Sequence, residues 1–292
     1  MKIIANPDLK EMSTLKMGGH GQAAFYPRDY RDLEELGKAW PELGHEVLIL
    51  GRGSNILFKD GARPLSLVVW DKKDEPAVIR QTDDTALVMA DAGMSLPGLL
   101  GWCAAHGLSG LERLAGIPGK VGGAIAMNAG SYGAQTGDMV QSITVWTPGS
   151  GIMDISRSGF KTGYRKFRIN EISGPFIILK ACCLLEKKSV FAVRQAMKNF
   201  YFRKKSAQPV LDNTAGCVFK NPAGFEPAGA LLDKAGLRGK VRGGVCFSKK
   251  HANFLVNNKD GSSLDAMELI SLAAREVSRL FGADLELEIK VV

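Results

Sequence analysis

Residues 116–133 read GIPGKVGGAIAMNAGSYG, and with their flanks, from Gly110 to Asp138, they carry eight glycines and one proline in 29 positions. Flexible linkers are rich in serine and glycine and lack apolar anchors. This stretch instead keeps Ile117, Val121, Ile125 and Met127 between its glycines, so the glycines are expected to allow close backbone approach to something flat or phosphorylated. Upstream, AAFY at 23–26 predicts a short strand, Asp29 to Trp40 sets Leu33, Leu36 and Trp40 at helical spacing, and VLILG at 47–51 predicts a buried strand. That strand feeds the turn Gly51-Arg52-Gly53-Ser54-Asn55, giving a βαβ pattern that ends in a tight loop. Ser95 can cap a helix with Pro97 in its first turn, and Gly107 can stop it.

Downstream, SITVW (142–146), GIMDI (151–155) and FIILKACCLL (176–185) predict strands, and Val190 to Arg203 predicts a helix leading to a new region, with a boundary near 190. A last helix, capped near Ser263, carries Leu264, Met267, Ile270, Val277 and Leu280 and stops at Gly282 before the alternating strand LELEIKVV. No internal repeat is visible. The 292 residues suggest about two domains and allow three small ones.

Apolar residues at 45% and charged residues at 23% are near globular averages, which argues against disorder and collagen. The net charge of +8 attracts anions such as nucleotides, phosphosugars or nucleic acid without choosing among them. The start, MKIIANPDLKEM, has no apolar stretch of signal-peptide length, and no run approaches the roughly 20 apolar residues of a membrane span, so a cytoplasmic protein without membrane insertion is expected. Cys103, Cys182, Cys183, Cys217 and Cys246 are odd in number and lie in no CxxC or Cys/His spacing, and His20, His45, His106 and His251 are scattered. Neither structural disulfides nor a metal site is expected.

Successive backbone N–H groups and the Ser54 hydroxyl of the 51–55 loop could cradle a pyrophosphate. The loop is not a Rossmann fingerprint, because Ile56 stands where a third glycine would, and it is not a Walker A loop, because no Gly-Lys-Ser/Thr follows. Taken alone it reads equally as an ordinary tight turn. The succession changes the reading: GRGSN is followed by IPGKVGGAIAMNAGSYG, GYRKFR (163–168), AGCVFKNP (215–222), AGLRGKVRGGVCFSKKHANFLVN (235–257) and LELEIKV (285–291). This order, over nearly the whole chain, resembles the UDP-N-acetylenolpyruvoylglucosamine reductase family, in its shorter type.

The resemblance implies an α+β protein: a two-part FAD-binding fold of the vanillyl-alcohol-oxidase type plus a C-terminal α+β substrate domain. The corresponding segments are 1–68 and 69–190 for the two FAD-binding parts, 191–283 for the substrate domain, and 284–292 for a strand returning to the active site. It implies FAD bound by Gly51, Arg52, Gly53, Ser54 and Asn55 at the pyrophosphate and by Ile117, Pro118, Gly119, Val121, Gly122, Gly123, Ala124, Asn128, Ala129 and Gly130 beside the ring. Apolar neighbours with backbone donors suit an isoalloxazine.

By the same resemblance Arg165 binds the enolpyruvyl carboxylate through its guanidinium fork; in isolation it reads as a solvated surface charge. Glu288 matches the second active-site group, an acid or proton holder, although a strict alternation makes it an outward-facing acid beside Glu286 and Lys290. Cys217 stands where most members carry serine and would protonate C2 of the substrate, a thiol being far more acidic than an alcohol; without the family it reads as buried packing. Lys205, Lys220, Asn221 and His251 are the candidate UDP-sugar contacts, and Lys204, Lys205, Lys249 and Lys250 would give an anion a positive approach. Arg52 and Phe167 depart from the family's glycine and serine. The implied reaction is NADPH-dependent, FAD-mediated reduction of UDP-N-acetylglucosamine enolpyruvate in peptidoglycan precursor synthesis, by a monomer with no nucleic-acid partner. The alternatives are another flavin oxidase of the same fold and a basic nucleic-acid-binding protein.

Overall fold

The strand Ala23–Tyr26 pairs antiparallel with Lys2–Ala5 and parallel with Leu65–Val68, which in turn runs parallel to Glu46–Ile49. Helix α1 (Tyr30–Ala39) makes the crossover between Ala23–Tyr26 and Glu46–Ile49. Asp29 starts it by accepting the Asp32 N–H at 3.0 Å, and Leu33 and Leu36 are fully buried beneath it. The expected βαβ pattern is therefore present, with Leu65–Val68 inserted between its two strands. This computed structural model describes residues 1–43 and 46–292; Gly44 and His45, one of the histidines weighed above, lie outside the described residues.

The chain divides into two units. Met1–Ala5, Ala23–Gly51 and Pro64–Arg203 form the first, and Asn6–Gln22, Arg52–Arg63 and Lys204–Val292 form the second. Besides the sheet above, the first unit contains an antiparallel sheet in the order Gly151–Ser156, Val140–Thr147, Ile177–Lys187, Thr85–Asp91, Ala77–Gln81. Helix α2 (Leu96–Ala105) begins where Ser95 Oγ accepts the Gly98 N–H at 3.1 Å, and Gly107 beyond it is left-handed.

The glycine-rich segment itself forms helix α3 (Val121–Ala126) and, after a turn, the short α4 (Thr136–Met139) with its Gln135/Asp138 capping box. Two consecutive glycines argue against a helix on propensity. Packing overrides it, because Val121, Ala124 and Ile125 are buried in the core with Val140, Val145 and Leu179. A hairpin follows from Phe160–Gly163 and Lys166–Ile169. Helix α5 (Val190–Ala207) runs four residues past the expected Arg203, since no breaker occurs before Pro209.

In the second unit an antiparallel sheet runs Thr214–Cys217, Phe254–Asn257, Val245–Phe247, Val241–Arg242, with helices α6 (Ala228–Lys234) and α7 (Ser263–Phe281) packed in the same core. Ser262 caps α7 and Gly282, at φ +67°, ends it. The face of α7 turned inward is Ala266, Leu269, Ile270, Ala273 and Val277, whereas Leu264 and Leu280, expected on it, are 66% and 45% exposed. Ala266 and Ala273 share the buried stripe with Leu269, Ile270 and Val277 at i, i+3, i+4, i+7 spacing, and Leu264 and Leu280 fall outside that stripe. The C-terminal segment forms a regular strand only at Lys290–Val291, parallel to Ile56–Leu57. Among the described residues no helix is long and apolar enough to cross a membrane.

Candidate active site

Arg165 occupies the second position of a two-residue hairpin loop, Tyr164–Arg165, between the paired Gly163 and Lys166. Its backbone is left-handed, at φ +54°, a conformation that costs a non-glycine residue about 1–2 kcal/mol and concentrates at functional sites. The half-buried side chain donates from Nη2 to the Gly130 carbonyl at 3.3 Å and lies 5.1 Å from the Tyr164 ring centroid. A Cβ on Gly130 would meet Ala134 O at 2.7 Å and Arg165 Nη1 at 3.2 Å, so glycine there makes room for the guanidinium. Phe167 packs its ring on Phe160 and Phe176, which adds apolar support to the hairpin.

The glycines expected to serve the cofactor have different physical duties. A Cβ on Gly122 would lie 2.9 Å from Ala92 Cβ, so this residue lets α3 pack on its neighbouring strand. Gly53 is left-handed, and its Cβ would meet Met12 O at 2.2 Å and Ser13 Cα at 2.7 Å; its close approach is to the chain itself. Gly51 and Gly123 behave otherwise. Nothing lies within 4 Å of a Cβ on Gly123, and a Cβ on Gly51 finds Gly123 Cα at 3.8 Å and Lys120 Cβ at 3.9 Å. A side chain at Gly123 would therefore enter open space close to the Gly51 backbone, which leaves room there for a flat or phosphorylated group. Ile117 and Ala129 are half-buried and Pro118 is exposed, and Gly119 adopts φ +136°. The side chains of Val121 and Ala124, expected beside the ring, are buried in the core, as is Ile125. Asn128 is likewise 1% exposed and spends its side chain on protein partners, because the turn after α3 folds it inward.

In the second unit the 52–55 loop, the Cys217 strand and the C-terminal segment meet. Asn55 Nδ2 donates to Glu288 O at 3.0 Å, and Lys290 N donates to Asn55 O at 2.9 Å. Glu288 N donates to Val218 O and Lys220 N to Glu286 O, both at 2.8 Å, with Leu287 bridging to Phe219. Asn55 thus clamps the Glu288 backbone beside the residue that follows Cys217. Arg52 is exposed and Ser54 half-buried. Half-buried Cys217 ends a register irregularity after Gly216, at φ +82°, and bulges of this kind re-aim side chains.

Two positions in this arrangement were not singled out from the sequence. Asn253 donates to Phe219 O at 2.8 Å, accepts from Phe219 N at 2.9 Å, and its carbonyl accepts from Val218 N at 2.8 Å. Thr14 N donates to Gly53 O at 3.2 Å while its Oγ1 donates to Thr214 O at 2.7 Å. Both are ordinary polar residues in sequence, and only the fold gives them neighbours; a polar residue inside an apolar run, as in HANFLVN, was the one available signal for Asn253.

Among the expected sugar-nucleotide residues, Lys220 pairs with Glu286, and the exposed Asn221 accepts from Ala228 N at 3.0 Å, at the start of α6. Lys205, Lys249 and Lys250 are exposed, but Lys204 is 3% exposed and cannot belong to a solvated basic approach. His251 is half-buried edge-on to Phe254, and its Nδ1 accepts from Asn253 N at 3.3 Å. Burial, then the nearby Arg238 cation, push its pKa below the usual imidazole range. Burial raises the Cys103 and Cys183 thiols to about 12.

The family model described as "FAD binding domain" matches residues 21–156, and that described as "UDP-N-acetylenolpyruvoylglucosamine reductase, C-terminal domain" matches residues 208–292. With the open space at Gly123, these define an FAD-binding flavoprotein of α+β architecture. UDP-N-acetylenolpyruvoylglucosamine reductase of Nitratidesulfovibrio vulgaris is 44% identical over all of this chain and 99% of its own length, and that of Oleidesulfovibrio alaskensis is 45% identical over 99% of this chain and 97% of its own. The solved Thermus caldophilus structure of the enzyme so named matches with a TM-score of 0.80 at 28% identity, covering 99% of this chain and 98% of that one. The chain belongs to the UDP-N-acetylenolpyruvoylglucosamine reductase family.

Proposed function

We infer that this chain reduces UDP-N-acetylglucosamine enolpyruvate to UDP-N-acetylmuramate with NADPH, as an FAD-dependent oxidoreductase of peptidoglycan precursor synthesis. The observation that carries the reading is the bond pair Asn55 Nδ2→Glu288 O and Glu288 N→Val218 O, which ties the expected flavin loop, the expected acid and the strand of the expected proton donor together. FAD, when bound, supplies the two-electron carrier that takes hydride from NADPH and gives it to the enolpyruvyl C3.

Arg165 pairs with both carboxylate oxygens and stabilises the negative charge that builds on them after hydride arrives; its left-handed backbone and its bond to Gly130 O support a held guanidinium. The Cys217 thiol gives its proton to C2, leaving a thiolate that water reprotonates. Glu288 holds a proton at the same centre. Lys205, Lys220, Asn221 and His251 contact the UDP-sugar in this reading, with Lys220 exchanging its Glu286 partner for phosphate. The division at 68, 190 and 283 belongs to the same proposal; it is supported by one sheet drawing its strands from residues 2–68 and the larger one from 77–187. The enzyme works as a cytoplasmic monomer.

The test is anaerobic. Protein reconstituted with FAD should bleach on NADPH and recover its yellow colour on stoichiometric enolpyruvyl substrate, with UDP-N-acetylmuramate detected by mass spectrometry. Recovery of colour only on admitting oxygen would refute the reading and favour an oxidase of the same fold.

A further inference from the structure

Asn128 ends the turn after α3, two residues before the Gly130 carbonyl that receives Arg165. Its backbone is left-handed, at φ +43°, which asparagine tolerates better than most residues. Each polar atom of its side chain has a partner: Nδ2 donates to Gln135 Oε1 at 2.8 Å and to Gly163 O at 2.7 Å, and Oδ1 accepts from Gly137 N at 2.9 Å. Gly163 is the last strand residue before Tyr164–Arg165. The fit is close, for a Cβ on Gly137 would lie 2.8 Å from Asn128 Oδ1 and 2.5 Å from Thr162 Cγ2 of the same hairpin.

A two-stranded hairpin has little stability of its own, and this one must hold a non-glycine residue in the left-handed region at its tip. The bond from Asn128 to Gly163 O anchors the base of that tip, and the bond from Arg165 Nη2 to Gly130 O anchors its end. We propose that Asn128 is a positioning residue for Arg165, locking the hairpin to the MNAG turn so that the guanidinium is aimed before substrate arrives. The proposal rests on the reading of Arg165 as the carboxylate-binding group. The Asn128 side chain is 1% exposed and acts through its bonds to Gln135, Gly163 and Gly137.

Asn128→Asp keeps the shape and the acceptor for Gly137 N–H, but sets a carboxylate oxygen against the Gly163 carbonyl. Asn128→Gly keeps the left-handed backbone and removes all three bonds; if the aspartate variant does not fold, the glycine variant decides. Flavin reduction by NADPH, measured per bound FAD, should change far less than flavin reoxidation does. Flavin reoxidation by the enolpyruvyl substrate should slow roughly 10- to 100-fold, the factor that loss of a buried hydrogen bond carries, and calorimetry on the oxidised protein should show a matching rise in substrate Kd. Adding Asn128→Gly to Arg165→Lys should cost no more than Arg165→Lys alone, because both act through one guanidinium.

Parental reoxidation in soluble Asn128→Gly, equal slowing of both half-reactions, or additive losses in the double variant would each overturn the proposal. Normal reoxidation in Arg165→Lys would overturn the parent reading of Arg165 itself.

Discussion

Replacing Gly123 by alanine separates the needs of the fold from those of the cofactor. The residue lies in α3, and a Cβ there meets nothing within 4 Å, so the protein alone incurs no steric penalty. Alanine is favoured over glycine in a helix by up to about 1 kcal/mol, and in a chain of this size that raises Tm by roughly 2–4 °C. The same methyl stands in the open space beside Gly123, whose Cα is 3.8 Å from a Cβ placed on Gly51. If FAD occupies that space, an added methyl costs about 1–3 kcal/mol, a rise in Kd of roughly 5- to 150-fold. Calorimetric melting of the apoprotein and FAD titration by fluorescence quenching read the two effects separately. Gly53→Ala is the contrast: with its Cβ 2.2 Å from Met12 O and a left-handed backbone costing about 1–2 kcal/mol, it should lower the Tm of the apoprotein and lose FAD only as the fold weakens. A lowered apoprotein Tm in Gly123→Ala, or an unchanged FAD Kd, would refute the assignment of Gly123 to open cofactor space.

Cys217→Ser should retain much of the activity and Cys217→Ala should still accept hydride from NADPH while failing to protonate C2, which stopped-flow and product analysis distinguish; a fully active alanine variant returns Cys217 to a packing role. Iodoacetamide at pH 8 should label half-buried Cys217, with UDP-sugar protecting it, and leave Cys103 and Cys183 unlabelled, because burial holds those thiols at about 12; peptide mass spectrometry reads the pattern. His251 has a pKa depressed in the folded state, so the unfolded chain binds its proton more readily near pH 6.5. Stability should be complete above that value and decline as pH falls below it, and His251→Gln should flatten the decline measured by urea unfolding between pH 7 and 5. Among the described residues Thr214 Oγ1 is buried with no hydrogen-bond partner, so Thr214→Val should leave Tm unchanged or raise it, and a fall of several degrees would reveal a partner.

How far the candidate site was legible varies by residue. The order of the motifs singled out Arg165, Cys217 and Glu288, and local chemistry found the cap Ser95 and the stops at Gly107 and Gly282, because each of those features is completed within a few residues of chain. Helix α3 was not legible: its Gly122-Gly123 pair lowers helix propensity, and what overrides it is burial of Val121, Ala124 and Ile125 against strands from 140 to 179. On α7 the expected Ile270 and Val277 are buried, whereas Leu264 and Leu280 lie off the inward stripe because apolar character was read without its angular position on the helix.

The sequence by itself determined the chemistry: which residue types are present, in what order, and hence an FAD-binding chain of this reductase family. Tertiary structure alone decided what each glycine and asparagine is for. Gly53 and Gly122 answer to the chain's own backbone and to Ala92, Gly123 to open space, and Asn55, Asn128 and Asn253 bond to groups 233, 35 and 34 residues away along the chain. A glycine's function is the space where its side chain would be, and an amide's is the partner it meets. Neither is encoded in neighbouring residues, so both exist only once distant segments have packed.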